Sequence, residues 1–188
     1  MVKNIDKNRT NMEIFMEDFV TRIDMKMEEF ERLMNSFYQE EFENLKFTTK
    51  PTAIVIDIVK ILKQKNYKLI VATISLFPRT VILHRIQWTG LNDKDFSLIT
   101  DYESAHFCKP NLEYFQEILS IIEKTPEECL MVGNDVQEDL VVSKLGMKTF
   151  LIEDHIINRE DSKPQPDFTG SYKDLLKYVE ELPSLKEE

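Results

Sequence analysis

The chain has 188 residues, enough for one domain, or one domain with a small appendage, around a sizeable core. Apolar residues make up 42% and charged residues 31%, an ordinary balance for a soluble globular protein. The net charge of −10 argues against a nucleic-acid or anionic-membrane partner, but a phosphorylated small molecule stays open, because a site needs only local positive charge. Cys108 and Cys129 lack metal-ligand spacing and read as reduced, small hydrophobes. The start, MVKNIDKNRT, is too polar for a signal peptide, and no apolar run approaches a membrane span. A cytoplasmic location is the resulting expectation.

Residues 1–11 read as a polar lead-in. From Met12 to about Leu45 the apolar residues recur at helical spacing: Ile14, Phe15, Phe19, Ile23, Met27, Phe30, Leu33, Met34, Phe37, Phe42 and Leu45. That pattern predicts two or three amphipathic helices whose methionine and phenylalanine stripe is mostly core. Pro51 suits the first turn of a further helix over 52–65, with Asp57 on its surface.

Tyr67–Thr73 reads as a strand, with Thr73 and Ser75 at its carboxyl end. Phe77-Pro78 opens a helix that Gly90 terminates, and Phe96–Thr100 is a short strand. Lys109-Pro110 lies in the next loop, before a helix running to about Glu123. Cys129–Val132 is a buried strand ended by Gly133, with Asn134 and Asp135 directly after it. A helix over 136–145, a strand over Lys148–Ile152, a polar loop over 154–170 and a final helix over about 171–181 complete the chain.

From residue 51 onward, helices and strands alternate, which predicts βαβ units: a Rossmann-like parallel sheet with helices on both faces. Residues 1–47 would form a partial N-terminal helical cap and residues 48–188 the α/β core. Ligands of such sheets bind beyond the carboxyl ends of the strands. Thr73, Lys109 and Asp135 all stand at strand-to-helix junctions, so they can converge although distant in sequence. A threonine hydroxyl can donate to a phosphoryl oxygen, and a lysine supplies compact positive charge for the same oxygens. Aspartates beside a helix N-terminus can hold Mg²⁺. The plainer reading makes Asp135 a helix cap, Asp139 a first-turn acid and Thr73 a hydroxyl bonded to backbone.

As an ordered set these segments resemble the haloacid dehalogenase-like superfamily. LIVATISLFPRTVILHRIQWTGL resembles the family's second motif, KPNLEYFQEIL the third and MVGNDVQEDLVVSKLGMKTFLIED the fourth. The resemblance implies phosphate binding by Thr73, Ser75 and Lys109, a Mg²⁺ ligand in Asp135, and catalytic support from Lys109 and Asp139. It implies a Mg²⁺-dependent phosphatase acting on a small phosphorylated molecule.

The family's first motif is a strand ending in Asp-x-Asp, whose first aspartate is the nucleophile. The only Asp-x-Asp here, Asp93-Lys94-Asp95, sits in a polar turn with no apolar strand before it. Phosphoryl transfer through an aspartyl-phosphate needs that carboxylate. The expectation is therefore a truncated or mis-started product, inactive alone, with the first central strand of its sheet missing. In the family sheet that strand lies between those ending at Thr73 and Val132, so its absence leaves ladder groups to be satisfied otherwise. Self-association through an exposed sheet or the cap is one outlet. The alternatives are a non-enzymatic binding or regulatory protein that kept the fold, and a split enzyme completed by a second chain.

Overall fold

The computed structural model describes residues 4–23 and 25–186. Its described strands form two parallel sheets, one of two strands and one of three, connected through helices, so the fold is parallel α/β. By the density of internal contacts the chain divides into two compact units. One comprises the chain up to Thr52 with Ile70–Cys108, and the other Ala53–Leu69 with the chain from Lys109 onward.

The first unit opens on helices α1 (Asn11–Ile23) and α2 (Met27–Ser36). Their apolar spacing brings Phe15 against Phe19 at 5.0 Å and Phe19 against Phe30 at 4.9 Å between ring centroids, and buries Met16 and Phe30. Leu33, Phe37 and Leu45 of the same stripe stay exposed, so the stripe is core only in part. After α2 the helix widens over Phe37–Glu41 and tightens over Phe42–Thr48. There Phe42 stacks on Trp88 at 5.2 Å, and Glu43 accepts a 2.8 Å hydrogen bond from the indole Nε1.

Strands β1 (Ile70–Val71) and β2 (Leu98–Ile99) pair in parallel, and α4 (Arg79–Trp88) lies between them in sequence. Ile82 and Ile86 of α4 pack with Ile99. Gly90 ends this segment at φ 85°, a conformation that favours glycine. Both strands are shorter than predicted. The backbone N–H of Tyr67 bonds Leu62 O at 3.0 Å, which makes Tyr67 part of the turn that ends the preceding helix. Beyond Val71, threonine hydroxyls replace the ladder: Thr73 N donates to Thr100 Oγ1 at 2.9 Å.

In the second unit, β3 (Leu130–Gly133), β4 (Lys148–Ile152) and β5 (Phe168–Gly170) run parallel in that order, with Val132 opposite Phe150 and Leu151 opposite Thr169. Helices α3 (Ala53–Gln64) and α6 (Tyr172–Glu181) cover this sheet through Ile58, Phe150, Ile152, Leu175 and Val179. Lys65, just past α3, donates to Val179 O at 3.0 Å and Glu180 O at 2.6 Å, satisfying carbonyls that the end of α6 leaves unpaired. Helix α5 (Leu112–Ile122) buries Tyr114, Phe115, Ile118 and Leu119.

Two expectations are corrected by this architecture. No α-helix spans 136–145; turns succeed Asp135, and a 3₁₀ helix occupies Leu140–Leu145. The fold draws Asn134 O and Val136 N into a parallel bridge with Ile157, and the Asp135 carboxylate accepts from Gln137 N and Glu138 N within the turns. The segment 154–170 is not all loop, because it contains β5. Asp167 accepts hydrogen bonds from Thr149 N at 2.9 Å and Thr149 Oγ1 at 3.1 Å, tying the start of β5 to β4.

Candidate functional site

Gly133 ends β3, and its missing side chain is what shapes the loop beyond it. A Cβ there would lie 2.7 Å from Asp139 Cβ and closer still to the Asp139 carboxylate. That carboxylate fills the space. Its Oδ2 accepts from Asn134 N at 3.1 Å and Asp135 N at 3.0 Å, and its Oδ1 meets Lys109 Nζ at 2.6 Å. The side chains of Lys109 and Asp139 are only 6% and 8% exposed. In a buried pair of this kind each partner offsets the other's lost hydration. Lys109 also lies 5.9 Å from the centroid of the Phe115 ring.

Asp135 is buried, and its Oδ1 takes the backbone N–H groups of Gln137 and Glu138 at 3.1 and 3.0 Å. These bonds close a turn rather than cap the α-helix that the plainer sequence reading placed there. Both oxygens also face Arg159: NH1 to Oδ1 at 2.9 Å and NH2 to Oδ2 at 2.7 Å. The hydrogen bond to Asp135 is the main reason that the guanidinium is held above its already high range. Glu138 Oε1 lies 3.5 Å from Arg159 NH2. Burial, and then the charge of Asp135, raise the Glu138 carboxyl above its usual range.

The second unit therefore brings together three of the predicted site residues: Lys109, Asp135 and Asp139. Thr73 and Ser75 belong to the first unit. The Thr73 hydroxyl donates to Thr100 O at 3.0 Å and accepts from Ser75 N at 3.2 Å. Ser75 is fully buried at φ 54°, and its carbonyl accepts from the Asn11 amide at 3.3 Å. Asn11 is fully buried as well, and its Oδ1 has no hydrogen-bond partner. Asp93-Lys94-Asp95 forms a short 3₁₀ turn, in which Asp95 accepts from Asn92 N at 2.9 Å. That carboxylate serves as a cap.

Sequence reasoning missed Arg159. It lies in a polar loop with no periodicity, and no local signal announces which carboxylate such an arginine will meet. Gly133 reads as a strand end in the sequence, and its role as the space for Asp139 emerges only in the folded chain.

A parallel α/β domain with a buried lysine and acidic side chains in the loop after a strand belongs to the class whose chemistry sits at strand ends. The chain belongs to the haloacid dehalogenase-like hydrolase family, whose model matches residues 5–142. It is 31% identical over 127 residues to pyrophosphatase PpaX of Bacillus pumilus, an alignment covering 66% of this chain and 57% of that protein. The chain thus spans little more than half the length of that relative. A phosphatase of the same superfamily from Thermococcus onnurineus superposes with a TM-score of 0.63 at 18% identity, over 93% of this chain and 92% of that one. The hydrolase YfnB of Bacillus subtilis, solved bound to magnesium, superposes with a TM-score of 0.54 at 22% identity, over 66% of this chain and 53% of that one. Both structures show the shared fold.

The family implies magnesium, and the donors present can be tested against it. Mg²⁺ takes about six oxygens in strict octahedral geometry. Among the described residues no group of three or more histidine, cysteine or acidic side chains is arranged to hold a metal. Both oxygens of Asp135 already face a guanidinium, and both oxygens of Asp139 are engaged by Lys109 and two amides. As folded, this donor set does not fit the ion.

Among the described residues, no helix is long and apolar enough to cross a membrane.

Proposed function

We propose that this chain is a phosphate-binding module of a haloacid dehalogenase-like phosphatase, and that these 188 residues alone do not turn over a phosphate ester. The observation that carries the first part is the buried Lys109–Asp139 pair at 2.6 Å. Asp139 fixes the ammonium at the mouth of the loop after β3, and an ammonium has donors to spare for an anion. The second part rests on the carboxylates. The only Asp-x-Asp in the chain is committed to a capping turn, and Asp135 and Asp139 are both tied up in pairs. None of these carboxylates is offered as a nucleophile. The relatives named pyrophosphatases favour a small phosphate ester or pyrophosphate as the ligand class. Magnesium would require Arg159 to leave Asp135.

The test has two arms. Hydrolysis of p-nitrophenyl phosphate and of pyrophosphate in millimolar Mg²⁺ is expected at background, and robust turnover would overturn the inactivity. Inorganic phosphate is expected to raise the unfolding temperature of the chain but not of a folded Lys109→Gln variant. An equal effect on both proteins, or on neither, would overturn the binding role.

A second reading, a binding or regulatory protein that kept the fold, is favoured by the bidentate hold of Arg159 on Asp135. A split enzyme would instead gain turnover when co-expressed with a second chain carrying the nucleophile.

A further inference from the structure

Arg159 does not reach Asp135 by chance of a mobile side chain. The segment that carries it is stitched to the loop after β3 by bonds that do not involve the guanidinium. Ile157 N donates to Asn134 O at 2.8 Å, and Val136 N donates to Ile157 O at 2.9 Å, a short parallel bridge. Arg159 N donates to Gln137 Oε1 at 2.9 Å, and Gln137 Nε2 donates to Asn158 Oδ1 at 2.8 Å and Ser162 Oγ at 3.2 Å. The backbone is thus locked before the side chain is placed. The fork then meets both oxygens of a carboxylate that is 8% exposed, while Arg159 itself is 52% exposed. A cation held bidentately on a buried carboxylate does electrostatically what a bound divalent ion would do there.

We propose that Arg159 is a built-in cation that takes the place of a divalent metal at Asp135, so that this chain keeps its acidic loop neutralised without one. This goes beyond the phosphate-binding reading and does not depend on it, because it concerns Asp135 and needs no phosphate. A metal can bind only in the fraction of molecules in which Arg159 has left, so its apparent affinity falls in proportion to that fraction.

Mn²⁺ is the probe, titrated into the full chain without phosphate and followed by the loss of its free electron paramagnetic resonance signal. Arg159→Gln removes the charge and keeps a polar chain of similar reach. It is expected to bind Mn²⁺ about tenfold more tightly than the wild type or better. Adding Asp135→Asn to Arg159→Gln is expected to abolish the gain, which places it at Asp135. Arg159→Lys retains a point charge without the fork and is expected to fall between. It also serves as the comparison should Arg159→Gln fail to fold by circular dichroism. Equal Mn²⁺ affinity in the wild type and the Arg159 variants would overturn the proposal, as would a gain that survives Asp135→Asn. A failure of phosphate to bind would leave these outcomes unchanged.

Discussion

Lys109 Nζ stands 2.6 Å from Asp139 Oδ1, and the same carboxylate accepts from two backbone amides through its other oxygen. One side chain therefore shapes the loop after β3 and positions the cation beside it. Removing it leaves a buried ammonium and two amides without a partner.

Asp139→Ala is expected to cost about 3–5 kcal/mol, the usual result of stranding one member of a buried ion pair. The double variant Lys109→Met with Asp139→Leu should cost less than the sum of its two single changes, because neither charge is then stranded. Urea unfolding of the set measures the coupling; strict additivity would show that the two side chains do not stabilise each other.

Gly133→Ala should be destabilising although the position is a strand end that otherwise tolerates alanine. The new methyl would overlap the Asp139 carboxylate, so that group must leave its amides or the strand must shift. The expected loss is about 2–4 kcal/mol, combining overpacking with unsatisfied donors. In an Asp139→Gly background, which removes the Cβ as well as the carboxylate, the same change should be nearly silent. Urea midpoints of the four proteins test this, and an unchanged penalty in that background would refute the contact.

Asp167 should contribute to acid sensitivity. Hydrogen bonds from the Thr149 backbone amide, and then from its hydroxyl, hold this carboxyl below its usual range. A carboxyl depressed in the folded state stabilises above its unfolded pKa, and the contribution is lost as pH falls through the folded value. Asp167→Asn is expected to lower the unfolding temperature at neutral pH and to flatten its decline between neutral pH and pH ~3. Parallel curves for the two proteins would exclude the role.

Glu43 anchors the segment after α2 to α4 through Trp88 and His84. The Trp88 hydrogen bond is the main reason its carboxyl is held below the usual range. Trp88 is the only tryptophan of the chain, so its emission reports the contact directly. Glu43→Ala should shift that emission to the red at neutral pH, as water reaches the indole. In the wild type the same shift should appear only on acidification below the ordinary glutamate range. An emission maximum indifferent to both would show that the contact carries no order.

Much of this architecture is decided locally. Helical periodicity marks Ala53–Gln64, Leu112–Ile122 and Tyr172–Glu181, and the apolar run at Lys148–Ile152 marks a strand, because burying one face or both imposes that pattern whatever the partner. The alternation of helices with strands already requires a parallel sheet. The loop residues Lys109, Asp135 and Asp139 are legible for the same reason, since strand ends are where polar groups interrupt apolar runs.

The turns after Asp135 were settled only by the tertiary structure, which draws Asn134 O and Val136 N into a parallel bridge with Ile157 where the sequence pattern alone continues as a helix. Strand β5 exists because Thr149 meets Asp167, a pairing that no period within 154–170 records. Arg159 was invisible for the same reason: a charged side chain in a polar loop carries no pattern, and its meaning lies in which buried carboxylate the fold brings to it. Local chemistry thus determined the elements and the residues at their ends. Long-range hydrogen bonding decided which of those residues are paired with one another, and with that, which charges a ligand would have to displace.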